Sequence, residues 1–282
     1  MKKLFSFVLA LTLLLTAAAV SVSGDTGQVA DASVMTAAED VTDGNLLPLF
    51  AGSLLDGTYP VSMRSSSSMF KADHCELLVA DGRLSVLLYL ASSSYLYLYP
   101  GSAEDAASAD EADYLLPEET EDGMRVFTLP LEALDAPVSC AAYSRKKELW
   151  YDRTLLFESS SLPLPAFAEG FITYPGDLAL KDGEYSAAVA LSGGSGKAFL
   201  RSPAKLLVKD GEVLAELVWS SPNYDYMIVG AEKYLPVNTE GNSVFLVPVL
   251  CFDHPVSVIA DTVAMSTPHE ISYSLTVSVP MS

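Results

Sequence analysis

The two halves of this 282-residue chain carry the same landmarks in the same order, and this duplication constrains the fold more than any other feature. Each half has two Asp-Gly pairs, then a strand-like run with alternating tyrosines, then an Asp that stands two residues before a proline. The matching landmarks are Asp56-Gly57 and Asp182-Gly183, Asp81-Gly82 and Asp210-Gly211, Tyr95-Leu96-Tyr97 and Tyr224-Asp225-Tyr226, and Asp135 and Asp253. Since each copy spans roughly a hundred residues, the size of one small domain, we predict two tandem modules with the same fold.

Short hydrophobic runs of period two, separated by turn residues, predict that both modules are all-β. Asp-Gly pairs accept positive φ and join neighbouring strands, and seven or eight short strands in each module fit a β-sandwich. Only brief helices are expected, such as one within 103–112. The predicted organisation is a signal peptide at 1–24, an acidic spacer at 25–53, module 1 at 54–159, a Pro/Ser-rich linker at 160–176 and module 2 at 177–282.

The first residues have the layout of a secretory signal peptide. Lys2 and Lys3 give a positive start, Leu4–Val20 is apolar, and small residues at 17–24 offer cleavage sites. We therefore expect a secreted, extracellular protein, or one held at the cell surface through a partner. The sequence has no second run of about twenty apolar residues, so we expect no membrane span once the signal is removed.

The mature protein is strongly acidic. The whole chain has 16 Lys and Arg against 36 Asp and Glu, and removing residues 1–24 takes away two Lys and no acid, which leaves 14 minus 36, or −22. Phosphate binding needs clustered Lys and Arg, so this charge argues against nucleic acid as a partner. We interpret the acidic excess mainly as a source of solubility.

Three cysteines in an exported chain leave two states open. Cys75 and Cys140 lie in strand-like runs of module 1 that can pack together and form a bridge. Alternatively these two and Cys251 are all buried thiols, a common state for cysteine. No cysteine occupies matching positions in the two modules, so a repeated disulfide framework is excluded.

The sequence offers little for catalysis. The glycine-rich run at 193–197 lacks the features of a phosphate-binding loop, because Leu191 stands where a glycine is needed and Ala198 where a hydroxyl residue is needed. No Gly-x-Ser-x-Gly elbow frames a serine nucleophile, and the three histidines are scattered without metal-ligand spacing. We therefore expect that the protein is not an enzyme.

A strand with three tyrosines is a candidate binding surface. Successive side chains of a strand alternate between its faces, so Tyr95, Tyr97 and Tyr99 are expected on one face and the intervening leucines on the other. Tyr224 and Tyr226 stand at matching places in module 2. Aromatic faces bind flat ligands and sugars, and a tyrosine oxygen can ligate ferric haem. The alternative is that the tyrosines simply cover a sheet face, as their β-propensity favours.

A second candidate is the basic and aromatic segment at 144–153. It holds Arg145, Lys146, Lys147 and Arg153 beside two aromatic residues, Trp150 and Tyr151, where we expect a hairpin between the last two strands. Such a hairpin can hold the carboxylates of a ligand. It can equally be a solvated turn whose cations pair with nearby acids. Module 2 has Met265–His269 at this place, so the two sites should differ in ligand or affinity.

The order of these parts resembles the NEAT (near-iron transporter) domain family, the immunoglobulin-like haem-capturing sandwich of Gram-positive surface proteins. The serine-rich lip of that family is similar to 65–70, its hairpin to Asp81-Gly82, its aromatic strand to 95–99, and its final hairpin to 150–153 followed by Leu155-Leu156-Phe157. The resemblance implies an immunoglobulin-like fold, and haem held between the lip and the final hairpin. It also implies iron ligation by the earlier tyrosine of a Tyr-x-x-x-Tyr pair.

This chain departs from the family's iron-binding pattern. If Tyr151 matches the later tyrosine of the pair, Lys147 stands at the ligand position, and module 2 offers His269 and Tyr273 as the nearest candidates. The resemblance therefore leaves Met69 in the lip, or Met227 beside the second tyrosine strand, as soft axial ligands.

The sequence as a whole predicts a secreted or cell-surface binding protein of tandem NEAT-like sandwiches that captures haem, or a related flat anionic ligand, for iron acquisition. The alternative is a pair of immunoglobulin-like adhesion modules that bind a glycan or another protein without a cofactor. No catalytic residue is predicted. The expected ligand-binding residues are Ser68, Met69, Phe70, Tyr95, Tyr97, Arg145, Lys146, Trp150, Tyr151 and Arg153 in module 1, and Tyr224, Tyr226, Met227 and His269 in module 2.

Overall fold

The computed structural model describes residues 27–31, 41, 46–264 and 269–280, so the predicted signal peptide lies outside the described residues. Within them the chain is almost entirely antiparallel β-structure, arranged in four sheets, two in each half. None of the helices described is long and apolar enough to cross a membrane. The prediction of an all-β chain built from β-sandwiches is confirmed.

Module 1 packs a five-stranded sheet on a four-stranded one. Its strands are β1 (Gly57–Pro60), β2 (Ser62–Ser65), β3 (His74–Ala80), β4 (Arg83–Leu90), β5 (Tyr95–Tyr99), β6 (Glu118–Glu119), β7 (Arg125–Leu131), β8 (Val138–Ser144) and β9 (Leu149–Glu158). One sheet has the order β1-β3-β4-β7-β6, and the other has the order β2-β9-β8-β5. Between β1 and β2 the chain crosses from one sheet to the other at Val61.

Module 2 repeats this architecture. Its strands are β10 (Gly183–Ala187), β11 (Val189–Gly193), β12 (Ala204–Lys209), β13 (Glu212–Val218), β14 (Tyr224–Val229), β15 (Glu232–Tyr234), β16 (Val244–Pro248), β17 (Val256–Thr262) and β18 (His269–Val277). The sheets have the orders β10-β12-β13-β16 and β11-β18-β17-β14-β15. The modules differ in their short strand, since β6 pairs with β7 in the first sheet of module 1, whereas β15 pairs with β14 in the second sheet of module 2.

A β-bulge at the same place in both modules reverses the direction of one tyrosine. The register shifts between Tyr95 and Tyr97 in β5, and between Tyr224 and Tyr226 in β14. Tyr95 therefore lies in the sandwich core, whereas Tyr97 and Tyr99 lie on the outer face of the sheet. The prediction that the three tyrosines of β5 share one face is wrong, because the extra residue of the bulge interrupts the alternation of side chains.

A small second core covers the outer face of the sheet formed by β5, β8 and β9. The helix α1 (Ala103–Ser108) packs its alanines there, and the rings of Tyr114 and Tyr143 have centroids 5.0 and 5.2 Å from that of Trp150. Trp150 is fully buried in this cluster, on the side of the sheet that faces away from the sandwich core. The structure therefore places Trp150, one of the predicted ligand-binding residues, inside the second core and not at the surface.

The segments predicted as spacer and linker are packed against the modules where the structure describes them. Leu49, within the predicted spacer, is buried in the core of module 1. In the linker, Phe167 forms a backbone bridge with Leu54 of module 1, and Thr173 forms one with Phe252 of module 2. These segments therefore join the two sandwiches by direct contact as well as by connectivity.

All three cysteines are buried free thiols. The bridge between Cys75 and Cys140, one of the two states left open by the sequence, is not formed. Burial raises the pKa of Cys75 and of Cys140 to about 12 and that of Cys251 to about 11. The reactive thiolate is therefore suppressed at all three positions.

Candidate functional site

In the lip of module 1, residues 65–70, the side chain of Met69 lies in solvent and that of the following Phe70 lies in the core. Phe70 is fully buried, and its ring lies 5.1 Å from that of Tyr95. The Tyr95 hydroxyl donates to the Met69 carbonyl at 3.1 Å, which ties the lip to β5. Met69 itself is 71% exposed, and Ser68 beside it is also exposed. The lip therefore has a fixed backbone and a free thioether.

The last hairpin of module 1 lies against this lip. Ser66 and Thr154 bond to each other, since the Ser66 amide donates to the Thr154 carbonyl at 2.8 Å and the Thr154 amide donates to Ser66 Oγ at 2.9 Å. The turn between β8 and β9 exposes Arg145, Lys146 and Lys147. The Arg145 amide donates to the Ser94 carbonyl at 2.8 Å, so the basic turn is fixed next to the start of β5.

Two predicted residues of β9 lie on the core side of the sheet behind the basic turn. Arg153 is 8% exposed, its guanidinium carbon is 5.2 Å from the centre of the Tyr151 ring, and Tyr151 is half-buried. The Arg153 Nη1 donates to the Asp152 carbonyl at 2.6 Å. Its Nε is buried and has no hydrogen-bond partner among the described residues. Arg153 thus places a positive charge close to the lip, in surroundings where an unpaired charge is costly.

The lip of module 2, residues 193–200, has the same construction with different residues. Phe199 is 62% exposed and Leu200 is buried, so they correspond to Met69 and Phe70. The Phe199 amide donates to Ser220 Oγ at 3.2 Å, which holds this lip against the end of β13. Sequence reasoning missed this site because its glycine-rich run reads as an ordinary turn and its exposed residue is a phenylalanine.

An aromatic cluster lies beneath the lip of module 2. The centroid of the Trp219 ring is 4.0 Å from that of Tyr224 and 5.4 Å from that of Tyr273, and the two tyrosine hydroxyls are 3.4 Å apart. Burial first, then the hydrogen bond with Tyr224, raises the pKa of Tyr273. The Trp219 Nε1 donates to Met227 Sδ at 3.3 Å, and Met227 is fully buried. The structure therefore places Met227, one of the predicted ligand-binding residues, in the core of module 2 and not at the surface.

The strand registers show which residues of the two last hairpins correspond. Val138 pairs with Leu155 in module 1, and its counterpart Val256 pairs with Leu275 in module 2. Counting back along β9 and β18 from these two leucines matches Arg153 with Tyr273, Tyr151 with Ile271, and Leu149 with His269. A pair of possible iron ligands four residues apart therefore exists in module 2, as His269 and Tyr273, and module 1 has Leu149 and Arg153 at those positions. Tyr273 belongs to the candidate site although the predicted set omits it.

The outward-facing tyrosines lie away from the lips. Tyr97 packs in the second core, with its ring centroid 5.5 Å from that of Tyr114. Tyr226 donates to Glu270 at 2.6 Å, and Lys233 Nζ lies 3.4 Å from the centre of its ring. The hydrogen bond to Glu270 is the main cause that raises the pKa of Tyr226 to about 12. Both tyrosines are therefore engaged on the sheet face opposite to the sandwich core.

The structure thus divides the predicted residues into two groups. The residues that form or adjoin the two lip and hairpin regions are Ser68, Met69, Phe70, Tyr95, Arg145, Lys146, Tyr151, Arg153, Tyr224 and His269. The residues placed elsewhere are Trp150, Tyr97, Tyr226 and Met227. No group of three or more His, Cys, Asp or Glu side chains in the described part of the chain is arranged to hold a metal ion.

The chain matches no protein-family model and no curated protein. Among solved structures, it is similar to a mutant of the IsdX2-NEAT5 domain in complex with heme. That similarity has a TM-score of 0.30 and 16% sequence identity, and it covers 35% of this chain and 97% of the other.

Proposed function

We propose that this protein is an exported, non-enzymatic binding protein that captures haem, or a related flat ligand with carboxylates, at the lip and hairpin region of each module. The observation that carries the proposal is that both lips expose one large apolar side chain, Met69 or Phe199, directly before a buried one. The arrangement recurs although the lip sequences differ. A ligand that covers such a side chain gains about 1.5–3 kcal/mol from burial.

Module 1 supplies chemistry that suits haem. Met69 presents a thioether, which is an axial ligand to haem iron in cytochromes, on a lip whose backbone is held by Tyr95. Arg145 and Lys146 stand on the adjoining hairpin, where they can meet carboxylates at the edge of a porphyrin. The rings of Phe70 and Tyr95 fill the space beneath the lip, so the ligand lies over Met69.

Module 2 supplies different ligands at the matching place. His269 is exposed at the start of β18, and Tyr273 lies four residues later on the same face of the strand. Tyr273 is 4% exposed and pairs with Gly193 across β11 and β18, so His269 is the group that can reach iron without movement of the lip. We therefore assign His269 as the iron ligand of module 2.

The signal-like residues at 1–24 support export. The absence of a framed nucleophile in the sequence supports a binding function rather than a catalytic one.

A haemin titration of the chain from Asp25 onward, followed by visible absorption, tests the proposal. We expect a shifted Soret band that saturates at one or two equivalents. Met69→Ala should weaken the module 1 site about tenfold, because apolar contact and the thioether are both lost. Leu116→Ala is the matched control, since Leu116 is 66% exposed elsewhere in the same module. A featureless difference spectrum at micromolar haemin would overturn the proposal.

One observation favours the adhesion alternative as a second candidate. Leu116 and Leu235, each followed by a proline, are 66% and 67% exposed at matching positions of the two modules, away from the lips. Apolar exposure that recurs at the same place in both modules favours a protein-binding surface, the kind of site that larger exposed apolar patches mark. Binding of a cell-surface protein or glycan that persists in haem-free protein and is lost in Leu116→Ser/Leu235→Ser, but not in Met69→Ala, would establish this function instead.

A further inference from the structure

Arg125 is a buried cation beside the lip that the sequence does not single out. It begins β7, is 8% exposed, and its Nη1 donates to the Tyr95 carbonyl. Its Nε is buried without a hydrogen-bond partner in the described part of the chain. The backbone of Arg145 is fixed close by, since its amide donates to the carbonyl of Ser94, one residue before Tyr95. The pKa of Arg125 is lowered, mainly by burial and secondly by the charge of Arg145.

The bond to the Tyr95 carbonyl does not require a cation. In module 2 the counterpart of Arg125 is Ser243, which stands two residues before the matching Phe of β16, and its Oγ donates to the Tyr224 carbonyl at 2.8 Å. A hydroxyl therefore makes the same contact without charge. The guanidinium of module 1 brings a positive charge and additional N–H donors that this contact does not use.

Acidic neighbours do not neutralise the two arginines by direct pairing. Glu119 pairs with Arg125 across β6 and β7, is exposed, and acts to raise the pKa of Arg125. Among the described residues, however, neither Arg125 nor Arg145 forms an ion pair, and the ion pairs present are Arg64 with Glu158 and Lys205 with Glu184. The charge of Arg145 disfavours the charge of Arg125, and an anion between the two side chains would offset that repulsion.

We propose that Arg125 and Arg145 form a carboxylate clamp beside the lip of module 1. A guanidinium has forked donors that match the geometry of a carboxylate, so the two groups can share one carboxylate through charge-assisted hydrogen bonds. The identity of that carboxylate rests on the proposed function, in which it belongs to the captured porphyrin. Tyr95 bonds Arg125 through its carbonyl and Met69 through its hydroxyl, so the clamp and the lip share one residue.

Comparing haemin with haemin dimethyl ester, which has the same ring and no free carboxylate, tests the clamp. In a Phe199→Ala background, chosen because the substitution should weaken module 2, we expect the chain to bind haemin about tenfold more tightly than the ester. Arg145→Gln should abolish this preference. Arg83→Gln makes the same change of charge on an exposed residue at the far end of β4 and should keep it. Equal preference in Arg145→Gln and Arg83→Gln would overturn the clamp.

A second measurement tests the clamp without a porphyrin. The buried Nε–H of Arg125 should give an isolated NMR cross-peak that shifts saturably with sodium citrate and not with sodium chloride at equal ionic strength. The shift should need a higher citrate concentration in Arg145→Gln. If neither haemin nor its ester binds, the proposed function fails, and this titration alone decides on the clamp. A cross-peak unmoved by citrate in the unsubstituted chain would refute it.

Discussion

His254 places a titratable ring in the contact between the linker and module 2. It is 8% exposed, and its ring centroid lies 4.5 Å from that of Phe167 and 5.9 Å from that of Phe171, both edge to face. Its Nε2 is buried and has no hydrogen-bond partner in the described residues. Burial lowers the pKa of His254 from 6.5 to about 4, because a charged imidazole loses its hydration there. The folded protein therefore holds this histidine neutral.

The sign of the pH effect follows from proton uptake. Between pH 6.5 and 4 the unfolded chain binds a proton at His254 and the folded chain does not, so acid favours unfolding. The loss of stability due to His254 is absent above pH 6.5 and grows as the pH falls towards 4. With about 1.4 kcal/mol for each unit by which the pKa is lowered, and a discount for partial access of water, the loss at pH 4.5 is about 2 kcal/mol.

Urea unfolding at pH 7 and pH 4.5, compared between the unsubstituted chain and His254→Phe, measures this term. The phenylalanine keeps a ring against Phe167 and cannot take up a proton. The many carboxylates titrate in both proteins, so their effect cancels in the comparison. We expect the unsubstituted chain to lose about 2 kcal/mol more than His254→Phe. His269→Gln, at an exposed histidine, is the control and should behave like the unsubstituted chain. Equal losses in His254→Phe and the unsubstituted chain would refute the reasoning.

Three further predictions concern the lips and the thiols. Gly194→Ala should lower the free energy of unfolding by about 2–3 kcal/mol, since φ is +58° and the new Cβ would lie 2.8 Å from Tyr273. Gly196→Ala is the control: its Cβ would lie in open space at φ +71°, so the free energy of unfolding should fall by only about 1 kcal/mol. Tyr95→Phe should cost about 1 kcal/mol and speed proteolysis of the lip, because the bond to the Met69 carbonyl is lost; an unchanged cleavage rate would contradict this. The three buried thiols should react with a water-soluble disulfide reagent only after unfolding, and fast labelling of native protein would show that they are accessible.

The sequence was sufficient for the fold because the fold is repeated. Two copies of the Asp-Gly hairpins fix the pairing of β3 with β4 and of β12 with β13, and alternating runs identify most of the strands. It was not sufficient for the bulges of β5 and β14. A run of alternating Tyr and Leu fits a regular strand, and only the pairing with β8 reveals the shift in register. For this reason the faces of the tyrosines were predicted wrongly.

The candidate site was predictable only in part, for a related reason. Met69 was found because 65–70 resembles a serine-rich lip, and Arg145 because a basic, aromatic hairpin has a local sequence signal. Phe199 and Arg125 have none, because a phenylalanine after a glycine run and an arginine at a strand start are ordinary in any β-protein. Their importance comes from neighbours that are distant in the sequence, such as Tyr95 in the case of Arg125.

At matching positions the two modules place different side chains, and these differences indicate where the ligand-binding residues lie. Ser243 and Arg125 bond the carbonyls of matching tyrosines, but only the arginine adds charge. Tyr273 and Arg153 occupy one strand position, but only the tyrosine can ligate iron. A scaffold under purely structural constraint has no need of a buried guanidinium where a hydroxyl suffices, because the charge adds a desolvation cost. Under the function proposed above, the substitutions give two sites of one design, with anion recognition by arginine in module 1 and ligation of iron by His269 in module 2.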